Sequence, residues 1–303
     1  MKHLIGTGLL SLIYLIPGYT QEVTRVPFEV TNNRTYVTVK IGNLTIPYIL
    51  LDTGFGSDGL MLFKEAYRDS LELDHAMAAQ IGGAGSGEDA RALVFDSVSF
   101  SLGNAVFLNQ RMIILRGNSG FFANGLLGYS IFGHYVTAFD YDRNTMTLYA
   151  PDQFEINEPD WSVIPLYFKD NQIPWLDAAV SIDQEDPVSL SMYIDFAAGD
   201  EIVLLEKPDM KFTLPAETEQ VLIGKGLSGN IYGKTGTISK LILGPYELAR
   251  IKGSFTDADV RSRQDHADGI LGNTSLRRFN LIFDYFNRKL YLQPNSHFSD
   301  PSD

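Results

Sequence analysis

Two carboxylates in matched surroundings are the residues of this chain best suited to chemistry. Asp52 follows the apolar run 46–51 and precedes Thr53 and Gly54; Asp195 follows the apolar stretch 192–194 and precedes Phe196, Ala197 and Ala198. Two carboxylates about 3 Å apart cannot both ionise easily, so they share one proton. The ionised member can draw a proton from water, and the protonated member can hydrogen-bond a carbonyl oxygen where negative charge develops. That chemistry is hydrolysis, and it calls for neither metal nor cofactor. A bare D-T-G is weak evidence, because roughly one chain of this length in fifteen contains it by chance. Context has to supply the specificity.

The context is a repeat. ILLDTGFGSDGLML at 49–62 matches MYIDFAAGDEIVLL at 192–205, and IGGAGSG at 81–87 matches IGKGLSG at 223–229. GLLG at 125–128 matches GILG at 269–272, and FDY at 139–141 matches FDY at 283–285. The offsets of 143, 142, 144 and 144 residues keep one order and nearly one register. A period this long lies far outside the 20–50 residues of solenoids and propellers, so it implies duplication into two lobes. The division that follows is a segment 1–20, a first lobe 21–150, a polar linker 151–162 with Pro151 and Pro159, and a second lobe 163–303.

Within each half the pattern is β. Residues 36–41 alternate with period two, as a half-buried strand does. Residues 281–285 and 289–292 read as a hairpin around a turn at 286–288, and 138–141 with 145–149 as its match in the first half. Helical patterns are few: 63–71, 130–135 and 274–279. Asp140 and Asp284 also repeat, but inside these hairpins they are read as structural or solvent-facing.

With those motifs in place, the sequence resembles the aspartic peptidases, retropepsin-like and pepsin-like alike, over nearly all of the chain after residue 20 and in two copies. The resemblance implies an all-β fold of two similar acid-protease-type β-barrel lobes with an active-site cleft between them. It implies Asp52 and Asp195 as the catalytic pair, one from each lobe. Thr53 would hydrogen-bond across the lobe interface to fix its turn, and Gly54 would let the backbone approach its counterpart. Leu127 and Gly128, with Leu271 and Gly272, would back the two turns. Gly82, Gly83 and Gly85 would form one substrate-covering flap; Gly226 and Tyr232 would belong to the other. The implied activity is that of an aspartic endopeptidase acting on an extended peptide or protein. Phe196 and Ala197 depart from the expected Thr and Gly, and Phe55 stands where a small residue is usual. The alternative is therefore a catalytically weak or inactive homologue that binds peptides without cutting them. A two-carboxylate glycosidase is a third reading; it would need its carboxyl groups at least about 5 Å apart.

Composition narrows the partners. A net charge of −13 repels phosphate backbones, which argues against nucleic acid. With 45% hydrophobic and 20% charged residues, the chain is globular rather than disordered. The absence of cysteine excludes disulfides, thiol catalysis and Cys-ligated metal. The histidines at 3, 75, 134, 266 and 297 show no ligand spacing, and GNIYGKT at 229–235 lacks the gap of a phosphate loop. Residues 1–20 carry Lys2 and His3, an apolar run over 4–16, then Pro17 and Gly18. They read as a secretory signal cleaved near Thr20, giving a secreted or periplasmic monomer with no stable membrane insertion, in keeping with a bacterial envelope. Asn33-Arg34-Thr35 and Asn43-Leu44-Thr45 fit a glycosylation pattern that matters only in a eukaryotic secretory host.

Overall fold

The computed structural model describes residues 21–301 except 118, 157–158, 170–171, 184 and 262–265. Residues 1–20, read above as a secretory signal, lie outside the described residues. Among the described residues strands dominate, arranged in three sheets.

The first lobe holds an eight-stranded sheet in the order Glu29–Thr31, Arg34–Ile41, Leu44–Leu51, Gly125–Leu127, Leu60–Leu62, Ala105–Leu115, Ala90–Leu102, Met77–Ile81. The second lobe repeats it with Tyr167–Phe168, Pro174–Ser181, Val188–Asp195, Gly269–Gly272, Ile202–Glu206, Tyr246–Asp257, Gly229–Leu243 and Glu219–Gly226. The two orders correspond position for position. In each sheet one further pairing, Lys40 with Ser101 and Ala179 with Ile242, curls the ends toward closure. Arg34–Ile41 alternates buried and exposed residues along its second half, whereas Leu60–Leu62, Gly125–Leu127 and Gly269–Gly272 are buried throughout. The latter are covered on both faces, which is why they read as continuous apolar runs.

The third sheet joins the lobes. Its order is Glu22–Pro27, Thr145–Tyr149, Val136–Asp140, Phe279–Asp284, Lys289–Pro294, Ser162–Pro165. The two closing hairpins anticipated as separate elements lie edge to edge, with Phe139 opposite Leu281 and Thr137 opposite Phe283. Each hairpin has an unsatisfied edge, and the equivalent edge of the other lobe pairs with it. Asp140 and Asp284 take structural roles here. Asp140 accepts from Arg143 N at 2.9 Å and Arg143 Nη1 at 2.6 Å. Asp284 accepts from Asn287 N at 2.9 Å and Asn287 Nδ2 at 2.7 Å.

The helices are shorter than their sequence patterns: Ala66–Ser70, Tyr129–Phe132 and Asn273–Leu276, with Ala258–Arg261 in addition. Flanking apolar residues are claimed by the sheets instead. Phe63 N donates to Asn124 O, and Phe279 opens a strand. No helix of the described residues is long and apolar enough to cross a membrane. One large core runs through both lobes and the joining sheet. At its centre Phe132, Phe139, Phe196 and Phe283 are fully buried, with ring centroids 4.9 Å apart for Phe139–Phe196 and 5.7 Å for Phe196–Phe283.

Candidate active site

Each aspartate lies at the end of a strand that runs parallel to the short strand backing it: Asp52 just after its strand, Asp195 as the last residue of its own. Leu44–Leu51 pairs with Gly125–Leu127, and Asp52 N donates to Leu127 O at 3.0 Å. Val188–Asp195 pairs with Gly269–Gly272, placing Asp195 opposite Gly272. The backing glycines permit the close fit. A Cβ on Gly128 would lie 2.3 Å from Asp52 O and 2.4 Å from Phe55 O, and one on Gly272 would lie 2.1 Å from Asp200 O. No other residue fits there without moving the turns.

Backbone amides then orient the carboxylates. Gly54 N donates to Asp52 Oδ1 at 2.7 Å. Ala197 N and Ala198 N both donate to Asp195 Oδ1, at 3.0 Å each. The two turns meet at Gly54: the position its Cβ would occupy is 3.0 Å from Asp52 Oδ1 and 3.9 Å from Asp195 Oδ1. Both carboxylates therefore converge on one point at the lobe interface, and both residues retain partial exposure.

Thr53 makes the cross-lobe contacts. It is buried, its Oγ1 donates to Ile194 O at 2.7 Å, and it accepts from Phe196 N at 2.9 Å. One hydroxyl thus grips the backbone on either side of Asp195. Phe196, at the position equivalent to Thr53, cannot return the bond; its ring anchors in the interlobe aromatic core instead. The unusual turn has exchanged a hydrogen bond for packing.

The two glycine-rich segments meet tip to tip. Ser228, buried in the second tip, donates from N to Ala84 O at 3.0 Å, and its carbonyl accepts from Gly87 N at 2.5 Å. Its Oγ accepts from Gly83 N at 3.2 Å and donates to Asp89 Oδ1 at 3.3 Å. Gly85 N reaches Val260 O at 2.8 Å, and Lys225 Nζ crosses to Ser119 O at 2.7 Å. The contact needs bare backbones: a Cβ on Gly85, whose φ is +119°, would fall 2.5 Å from Ser228 C, and one on Gly226 would fall 2.1 Å from Ala84 O. Gly82 adjoins Gly83 at the base of the first tip. Leu227 of the second tip, Ile81 beneath the first, and Phe55 and Ala197 of the aspartate turns pack against one apolar cluster. The tips and the carboxylates therefore share one side of the molecule. Tyr232 is exposed on its hairpin, its hydroxyl accepting from Asn230 Nδ2 at 3.3 Å.

No protein-family model matches the sequence, and no curated protein matches it. Among solved structures, the aspartic proteinase from Irpex lacteus aligns with a TM-score of 0.59, covering 92% of this chain and 99% of its own, at 13% identity. The fold is that of an aspartic proteinase. That meets the all-β, two-lobed expectation; at such low identity the likeness carries the architecture alone.

Sequence reading missed several residues of this region. Ser228, Asp89 and Lys225 form the junction between the tips, and Arg34 reaches the second aspartate turn. Tyr285 also belongs here. Its ring packs on Phe168 and Phe132, and burial, then the charges of Asp52 and Tyr129, push its phenol well above the ordinary range. Its hydroxyl stays protonated within reach of the Asp52 charge. One missed correspondence had a usable signal: Ala123-Asn124 precedes GLLG as Ala267-Asp268 precedes GILG, one further step of the same repeat.

Proposed function

We propose that this chain is an aspartic endopeptidase that cleaves extended peptides between its lobes, after export directed by residues 1–20. The observation that carries this reading is the convergence of the Asp52 and Asp195 carboxylates at Gly54, each oriented by backbone amides of its own turn. In the proposed mechanism the pair holds one proton. Water attacks the peptide carbonyl carbon and gives its proton to the ionised carboxylate, while the protonated carboxyl passes its proton to the carbonyl oxygen. The resulting diol collapses: one hydroxyl proton returns to the pair, the amide nitrogen takes a proton from it, and the C–N bond breaks. Acid and amine leave, and the pair again holds a single proton.

The meeting tips fit a two-sided cover that substrate must part, excluding water once closed again. The test is cleavage of a mixed peptide library followed by mass spectrometry. Asp52→Asn and Asp195→Asn should each lower the rate by about 10²–10⁴-fold. Wild-type cleavage surviving in either variant, or no cleavage by the wild type, overturns the proposal.

A further inference from the structure

The second aspartate turn lacks the Thr and Gly of the first, yet Asp195 Oδ1 is bound by two backbone amides. Something must hold those amides in place. Asn32 and Asn33, with φ of +50° and +57°, form a two-residue turn between Glu29–Thr31 and Arg34–Ile41. This is the geometry of a tight hairpin, and it fixes Arg34 at the first position of its strand. From there Arg34 Nε crosses the lobe interface and donates to Ala197 O at 2.8 Å, while its Nη1 donates back to Asn32 O at 3.1 Å. Asn273 Nδ2 donates to Asn33 O at 3.0 Å, tying the same hairpin tip to the second lobe.

Ala197 O and Ala198 N belong to one planar peptide unit. Arg34 binds its oxygen, and its N–H is shared between Asp195 Oδ1 and Asp195 O, each at 3.0 Å. A guanidinium on the oxygen fixes the plane and polarises the N–H aimed at the carboxylate. Gly199 makes room: a Cβ there would stand 3.0 Å from Arg34 Nη1 and 3.1 Å from Cζ. The arrangement is one-sided. Tyr36 faces Leu50 as Trp175 faces Tyr193, so the second-lobe counterpart of Arg34 is the apolar Ile173.

We infer that Arg34 is a positioning residue for Asp195, acting through the Ala197–Ala198 peptide and adding to the grip that Thr53 already has on the backbone either side of Asp195. The inference rests on the peptidase reading for its consequence, not for its geometry. Two variants test it in the full chain: Arg34→Gln removes the charged fork, and Gly199→Ala displaces it while keeping Arg34. Amide exchange at Ala198, read by NMR, should quicken tenfold or more in both, the scale of one charge-assisted hydrogen bond. Exchange at Gly54 in the first turn should hold at its wild-type rate. In peptide cleavage, kcat should fall about tenfold with KM within about threefold, the signature of a group acting on the reacting carboxylate rather than on substrate. An unchanged Ala198 amide in folded variants overturns the inference; if Arg34→Gln does not fold, Gly199→Ala decides. If the wild type cleaves nothing, the peptidase reading alone fails, and exchange at the Ala198 amide still decides whether Arg34 holds the turn.

Discussion

Replacing Thr53 by Val removes one hydroxyl and leaves the side chain nearly the same shape. Thr53 is 2% exposed, and its Oγ1 serves Ile194 O at 2.7 Å and Phe196 N at 2.9 Å. Both backbone groups lie at the interface between lobes, so the variant strands a buried acceptor and a buried donor. Each stranded group costs about 1–3 kcal/mol, so about 4 kcal/mol is expected for the pair. In a chain of this size that corresponds to a fall in Tm of roughly 7–10 °C. Thr53→Ser keeps the hydroxyl and should lose less than about 1.5 kcal/mol. The assay is scanning calorimetry with near-ultraviolet circular dichroism as a check on side-chain packing. Peptide cleavage should fall further than stability alone requires, because the freed backbone flanks Asp195. A Thr53→Val protein melting within about 1 °C of wild type would refute the idea that this hydroxyl grips the second turn.

Gly85→Ala places a Cβ against Ser228 backbone at a φ of +119°, so the tips should part. Exchange of the Gly87 amide, which donates to Ser228 O, should quicken at least tenfold by NMR, and unchanged protection would show that the tips tolerate the methyl. Asp268 is almost wholly buried; burial would raise its carboxyl, but Lys211, the Ser191 amide and Lys207 outweigh this and hold it below the usual range. Its folded value being depressed, the stability it contributes is complete above the unfolded aspartate value of about 3.9 and disappears as pH falls through the folded one. Asp268→Asn should therefore cost about 3 kcal/mol in urea unfolding at pH 7 and converge with wild type at the acid end, whereas a pH-independent difference would contradict the assignment.

Much of this molecule was legible because its information is periodic or repeated. Asp52, Thr53 and Gly54 gained meaning from the second copy, and the same copy located Asp195 despite Phe196 and Ala197. The convergence at Gly54 and the contact of Thr53 with the other lobe follow that reading. What stayed hidden is carried by bonds to backbone. Arg34 donates to a carbonyl, and Ser228 makes three of its four bonds to main-chain atoms of the opposite tip. Any residue type presents a carbonyl, so such contacts leave no pattern along a sequence. The role of Phe196 was equally invisible, because the loss of a hydroxyl shows in the sequence while the interlobe ring packing that replaces it does not.

The sheet that joins the closing hairpins has a consequence for any attempt to divide the chain. Cut between Ser162–Pro165 and the first lobe, each half would present a bare strand edge, Val136–Asp140 on one and Phe279–Asp284 on the other. A naked edge of that kind recruits another copy or aggregates. In the intact chain the tether keeps the two edges at an effective concentration on the order of millimolar, so they find each other before they find a neighbour. The polar stretch between the lobes thus protects against mispairing during synthesis, quite apart from anything the cleft does.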